Sequence, residues 1–371
     1  MNALEAEIRA LIRLEGPLTI ERFMAMCLTH PRHGYYMTQE PFGAAGDFVT
    51  APEISQMFGE LIGLWAAQAW INMGQPETFN FIELGPGRGT LMADALRAAG
   101  QVPGFSDAVS LHLVEASPKL RAAQHVKLSP FQKIITWHEV FGQAPEAPCV
   151  ILANEFFDAL PIRQFAWRQD GSRTGGWHEC LVGIGGSGGL TFGLAGAAAR
   201  EISRTGRGGD VLEICPSGIA LAGQIGARLA QAPGAALIID YGYADAAAAP
   251  TLQAVKAHAY APVLAEPGEA DLTAHVDFRA LAAAARAGGA AVYPAITQAA
   301  LLERLGIDAR AAKLKAGAED AAVRAGIDAA RQRLAGTGDD AMGRLFKALA
   351  MASPGQPPPP AFEAADPLME S

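Results

Sequence analysis

Two hydrophobic periods alternate along this chain. Near the N terminus, Leu4, Ile8, Leu11 and Ile12 recur at helical spacing until "EGP" stops the pattern. Thr19 opens a second helical pattern through Phe23, Met24 and Cys27. "HPRHGYY" and "PFGAAGDFVTAPE" then read as a loop rich in Gly, Pro and aromatic residues. Thr50 and Glu53 have the spacing of a capping box, in which each side chain satisfies a free backbone N–H. The helix predicted after it carries Ile54, Met57, Phe58, Leu61, Ile62 and Trp65 on one face.

Strand and helix patterns alternate next. "FNFIEL", "VSLHLVEA", "KIITWHE" and "CVILANE" read as strands, and "TLMADALRAAG" and "SPKLRAAQHVKL" as helices. Such alternation predicts an α/β fold with a parallel, doubly wound sheet. From about Pro161, period-2 alternation and Gly-rich turns predict antiparallel hairpins inserted into that fold. "AALIIDYGY" returns to a buried strand, and 251–305 adds strand and helix.

The predicted division is an N-terminal helical region and cofactor lid over 1–75, and a Rossmann-like core over 76–162 and 235–305. A β-rich insertion takes 163–234 and Ala-rich helices take 306–352. The Pro-rich, polar segment 353–371 reads as a disordered tail.

Composition narrows the function. Half of the 371 residues are hydrophobic, and the net charge is -9. An acidic chain is poorly suited to non-specific nucleic-acid binding, which depends on Lys and Arg displacing phosphate counterions. Cys27, Cys149, Cys180 and Cys215 lie far apart, so no metal-ligand spacing occurs and no metal is expected. Scattered cysteines suit a reducing compartment. No uninterrupted apolar run long enough for a membrane span is present. "MNALEAEIRALIRLEG" interrupts its apolar residues with Glu5, Glu7 and Arg9, unlike a secretory signal, and is acidic for a mitochondrial leader. These features predict a bacterial cytoplasmic protein.

The chemistry concentrates at "FIELGPGRGT". Gly85, Gly87 and Gly89 fall between a strand and a helix, where a backbone turns tightly and its N–H groups approach a polar ligand. The spacing is GxGxG, and no Lys follows as in a P-loop. Glycines there also suit close helix–strand packing. Glu115 ends the next strand, thirty residues past Gly85, where a carboxylate meets a ribose diol. A dinucleotide fingerprint places its acid about twenty residues on. Glu83, inside the first strand, is unfavourable beside a pyrophosphate and favourable beside a cation. Together these residues favour S-adenosylmethionine over NAD as the cofactor.

Several motifs together resemble one family. "HPRHGYY", "GDFVTAPEISQMFGE", "ELGPGRGT", "VEASPKL", "ANEFFDALP", "DYGY", "DLTAHVDF" and "MGRLFKAL" span about 17–350. They are similar to the class I S-adenosylmethionine-dependent methyltransferase family of the mitochondrial complex I assembly factor and protein-arginine methyltransferase, with its bacterial relatives. The resemblance implies a seven-stranded Rossmann-like core and symmetric dimethylation of an arginine on a complex I subunit. A non-catalytic, cofactor-binding assembly factor is the alternative, and a small-molecule methyltransferase is also open.

A guanidinium is planar, cationic and weakly nucleophilic, so carboxylates that fix its plane suit it. Asn154, Glu155 and Asp158 lie in the turn after the fourth strand and are the candidate catalytic residues. Glu155 and Asp158 are expected to grip the guanidinium, and Asn154 to orient substrate or cofactor. Asp158 and Asn154 also suit a capping or turn role. Gly46 and Asp47, in the segment read as a cofactor lid, and Gln56, off the apolar stripe, are further cofactor candidates. Trp137 and His138, at the end of the third strand, are candidates for the adenine. "DLTAHVDF" offers His275 as a conceivable base, and the absence of GxSxG disfavours a serine hydrolase.

Overall fold

The computed structural model describes residues 1–38, 49–169, 175–245, 250–338 and 341–363. The chain divides into two compact units, Met1–Phe48 with Asp158–Gly218 and Asp245–Asp277, and Val49–Phe157 with Ile219–Ala244 and Phe278–Ser371.

The second unit is built on a sheet whose strands, in chain order, are β1 (Phe79–Leu84), β2 (Val109–Val114), β3 (Ile135–His138), β4 (Cys149–Asn154), β5 (Gly234–Tyr243), β6 (Ala291–Val292), β7 (Ile296–Thr297) and β8 (Phe346–Ala352). Across the sheet the order is β6-β8-β5-β4-β1-β2-β3, with β7 also beside β8. The five strands from β5 to β3 run parallel. β8 runs antiparallel between β5 and β6. This confirms the α/β expectation. The chain winds outward from β1 in one direction and returns at β4 to wind in the other. A crevice therefore opens beyond the carboxyl ends of β1 and β4, where ligands bind in such sheets.

β1 is buried along its whole length. Parallel strands covered by helices on both faces read as continuous apolar runs for this reason. Phe79, Phe81 and Trp70 all meet the buried Phe105 ring within 5.2–6.1 Å, at steep edge-on angles. The helix Gln56–Asn72 belongs to this unit and buries most of its surface. Within it, the buried Glu60 carboxylate pairs with Arg310 through Nε at 2.6 Å and Nη2 at 2.9 Å.

Four expectations need correction. The helix predicted after "TAPE" is broken: Ala51–Ile54 is one turn, Ser55 is extended, and Gln56–Asn72 follows with Ser55 as its N-cap. Thr50 makes no side-chain cap bond, so the capping box does not form. "FKALAMA" is not helical but forms β8, buried at six of its seven positions. Its alanines favour helix intrinsically, and pairing inside a covered sheet overrides that preference. The Pro-rich segment packs as far as it is described: Phe362 is buried, and the Pro360 carbonyl accepts from Trp65 Nε1 at 3.1 Å. Residues 364–371 lie outside the described residues.

The first unit combines the helices Ala3–Glu15 and Ile20–Thr29 with antiparallel strands. Thr19 caps the second helix by accepting from Arg22 N, as its position suggests. Arg163–Gln169, Gly175–Ile184 and Leu190–Leu194 form the expected hairpins, joined by Val211–Ile214 and Leu18–Thr19. Leu4, Ile8, Phe23, Met24, Cys27 and Val182 share its core.

Candidate functional site

The turn after β1 carries three left-handed glycines, with φ of 60° at Gly85, 52° at Gly87 and 81° at Gly89. Only glycine takes these values without strain. Gly85 also lacks room for a side chain, because an added Cβ would lie 2.5 Å from Cδ2 of Phe156. Gly89 is the N-cap of the helix Thr90–Ala99 and offers no side chain to its free N–H groups. That end of the helix suits a polar ligand group.

Two acids converge on this loop. Glu83 lies in β1, and Glu115 follows β2 with its backbone N–H donating to His138 O. Both carboxylates are buried. Burial, and then the charge of Glu115, push Glu83 up to about 8. Burial also raises Glu115, although its Oε1 accepts from Ser117 N at 2.8 Å and its Oε2 from Gln124 Nε2 at 3.2 Å.

Glu83 Oε2 and Asn154 Oδ1 are buried and lack a hydrogen-bond partner among the described residues. β1 and β4 are neighbours in register, with Glu83 opposite Leu152, so both acceptors belong to the carboxyl end of this strand pair. Unsatisfied buried acceptors suit a ligand that brings donors, and a cationic one suits them best. The cradle of glycines, the paired acids and the open acceptors together fit a cofactor with a diol and a cationic tail.

Glu155 opens the turn after β4 with a φ of 50°, a costly value for a side-chain-bearing residue. Its N–H donates to Ile239 O at 2.9 Å. Its Oε1 accepts from Ala51 N at 2.9 Å and from Asn154 Nδ2 at 3.2 Å. Asp240, fully buried in β5, fixes the next two residues: Oδ2 accepts from Phe156 N at 3.1 Å and Phe157 N at 2.9 Å. The segment at Thr50 touches both banks of the crevice. Ala51 reaches Glu155, and Glu53 Oε1 accepts from Thr90 Oγ1 at 2.6 Å. That tertiary bond is the role Glu53 takes in place of the expected cap.

The remaining candidates fall in several places. Gln56 is exposed at the start of its helix. Gly46 and Asp47 lie outside the described residues. His138 is buried, and its Nε2 lies 3.0 Å from Nδ1 of His112. Trp137 Nε1 donates to Gln124 Oε1 at 2.8 Å. Asp158 is buried and falls in the first unit, and Asn154 and Glu155 fall in the second. In the first unit Tyr36 Oη donates to the Asp271 carboxylate, 3.0 Å from each oxygen. Burial and the charges of Asp271 and Asp158 hold this phenol well above its usual range. His275 donates its backbone N–H to Thr251 Oγ1. Among the described residues, no cluster of His, Cys, Asp and Glu is arranged to hold a metal.

Sequence reasoning missed Gln124, Asp240 and Phe156. A signal existed for the first two. Gln124 takes the middle of a buried i, i+4, i+8 row with Leu120 and Leu128, and Asp240 interrupts an apolar run.

Comparisons with known proteins agree with this geometry. Residues 61–296 match the family described as S-adenosyl-L-methionine-dependent methyltransferase. The mitochondrial protein arginine methyltransferase NDUFAF7 of Mus musculus is 38% identical over 81% of this chain and 73% of its own length. The Drosophila melanogaster homolog is 33% identical over 94% of this chain and 85% of its own. The solved structure of a Burkholderia thailandensis protein bound to S-adenosyl-homocysteine superposes with a TM-score of 0.83. It is 30% identical, and the match covers 98% of this chain and 93% of that one. The expected bacterial cytoplasmic location is corrected by these findings, because the curated relatives are mitochondrial proteins. Among the described residues no helix is long and apolar enough to cross a membrane. With a glycine cradle, paired acids and these relatives in agreement, the chain belongs to the S-adenosyl-L-methionine-dependent methyltransferase family, and S-adenosyl-L-methionine is its cofactor.

Proposed function

We propose that the chain methylates arginine on a protein, and that the protein is a subunit of respiratory complex I. The observation that carries this reading is its 38% identity to a protein arginine methyltransferase across 73% of that enzyme's length. The complex I subunit and symmetric dimethylation rest on the motif resemblance.

When bound, S-adenosylmethionine supplies a methyl group activated by its sulfonium. The protein then has to align a guanidinium nitrogen and keep water away. Glu83 and Asn154 hold the cationic end of the cofactor in this reading, and Glu115 takes the ribose hydroxyls. Gly85, Gly87 and Gly89 let the backbone come close. Glu155 receives the guanidinium, whose positive charge its carboxylate offsets; as the nitrogen takes the methyl the S–C bond would break to leave neutral S-adenosyl-homocysteine, and the surplus proton on that nitrogen would pass to solvent. Ala51 and Asn154 restrain that carboxylate through Oε1, which limits the orientations it can take.

The test is incubation of the purified chain with labelled S-adenosylmethionine and complex I subunits, followed by mass spectrometry of the labelled peptides. Dimethylarginine in a subunit is expected. Glu155→Ala is expected to abolish transfer while S-adenosyl-homocysteine still binds. Label on a small molecule alone would sink the protein-substrate reading. Normal turnover by Glu155→Ala would remove Glu155 from the reaction. Binding of a subunit with no transfer by the wild type would favour a non-catalytic assembly factor.

A further inference from the structure

Gln124 is a fully buried amide that joins three parts of the cofactor cradle. Nε2 donates to Gly87 O at 2.8 Å and to Glu115 Oε2 at 3.2 Å, and Oε1 accepts from Trp137 Nε1 at 2.8 Å. The partners leave the amide one orientation. A carbonyl and a carboxylate only accept, and an indole N–H only donates. A Cβ at Gly89 would lie 3.5 Å from Cγ of Gln124, so the loop also rests on the stem of this side chain.

An apolar residue is the natural occupant of such a position, because Leu120 and Leu128 flank it on the same buried row. Burying an amide is costly unless its polar atoms are paired. Here both sides of the amide are paired, and with groups of the ligand cradle rather than with its own helix. Two separate elements, the glycine loop and the end of β2, are thereby held at one spacing.

We propose that Gln124 is a positioning residue for the cofactor. It fixes the Glu115 carboxylate against the Gly85–Gly89 loop and so sets the width of the seat for the ribose. The proposal rests on the reading of Glu115 as the ribose acid. Gln124 itself touches neither cofactor nor substrate and acts through Glu115 and Gly87.

The effect of substitution differs by chemistry. Gln124→Leu leaves the Glu115 oxygen and the Trp137 N–H without this partner. Gln124→Glu keeps the shape and the acceptor for Trp137. Its ionised form faces the Glu115 carboxylate and the Gly87 carbonyl with no hydrogen to donate. Its protonated form can donate one hydrogen bond.

The experiment is calorimetric titration of the whole chain with S-adenosyl-homocysteine at several pH values, with thermal unfolding run alongside. The variants are Gln124→Leu, Gln124→Glu and Glu115→Ala. Gln298→Leu is the control, since Gln298 is equally buried but donates to Leu334 O at 2.9 Å. Gln124→Leu is expected to weaken binding by about tenfold, the size of one lost buried hydrogen bond. Gln298→Leu is expected to lower the unfolding temperature and leave Kd within about twofold of wild type. The affinity of Gln124→Glu, divided by that of wild type, is expected to recover as pH falls and to decline as pH rises. A ratio that is flat with pH, or wild-type affinity in Gln124→Leu, would overturn the proposal. If Gln124→Leu does not fold, the pH-dependent ratio decides alone. Failure of the wild type to bind, or full affinity in Glu115→Ala, would instead overturn the reading beneath it.

Discussion

Glu83 lies in β1 and Glu115 directly follows the adjacent parallel strand β2, and the charge of Glu115 adds to burial in raising Glu83 to about 8. A carboxyl whose folded value exceeds its unfolded one stabilises the fold most below the unfolded value. That contribution is lost as pH rises through the folded value. The ligand-free protein should therefore lose stability between about pH 4.5 and 8, with a slope of at most about 1.4 kcal/mol per pH unit from this group. Ionised Glu83 favours a cation, so S-adenosylmethionine affinity should rise across the same window. Thermal unfolding and calorimetry from pH 5 to 9 measure both. Glu83→Gln should flatten both curves, and an unchanged slope in that variant would remove Glu83 as their source.

His112 and His138 set a second dependence at lower pH. Their rings stack at 5.3 Å with Nδ1 of one 3.0 Å from Nε2 of the other, so one nitrogen must accept. Burial, the neighbouring ring and Arg228 lower His112 to about 4, and burial lowers His138. A histidine lowered in the fold leaves stability complete above its unfolded value, near 6.5, and loses it as pH falls. Unfolding temperature should drop from about pH 6.5 toward 4. His112→Phe should reduce this acid loss; a drop as steep as wild type would exclude the pair as the cause.

Gly85→Ala tests the loop. The new methyl would meet the Phe156 ring at a backbone φ of 60°. The backbone alone should cost about 1–2 kcal/mol, and the displaced ring should weaken cofactor binding. Adding Phe156→Ala should restore the steric part but not the backbone part. Full recovery in the double variant would show that φ costs nothing here.

Asp240→Ala removes the acceptor for three N–H groups, those of Phe156, Phe157 and Tyr241. A buried donor left unsatisfied costs about 1–3 kcal/mol, so a large fall in unfolding temperature is expected. Asp240→Asn keeps one acceptor oxygen and should fall less. Equal losses in the two variants would mean that the charge matters and the hydrogen bonds do not.

The parallel strands were legible because burial on both faces makes them short, continuous apolar runs, as "FNFIEL" illustrates. The glycine loop and Glu115 were legible because their chemistry depends on position next to a strand. Glu53 was misread because capping-box spacing is local, whereas its partner Thr90 lies 37 residues away. "FKALAMA" was misread because a strand buried on both faces shows no alternation, and its alanines suggest helix. Gln124 and Asp240 stand out locally as polar residues in apolar rows, but the carbonyls and amides they meet lie far off in sequence, so their partners were not legible.

The position of β8 has a consequence for synthesis. It is the last long strand to be made, yet it lies between β5 and β6 rather than outside them. While the polypeptide is emerging from the ribosome, β5 waits with one full row of amides and carbonyls exposed, and β6 has no neighbour to join. An uncovered edge of this kind invites pairing with another chain. A nascent protein stalled before Phe346 should therefore be a client for chaperones, and truncation there should yield aggregates rather than a smaller enzyme.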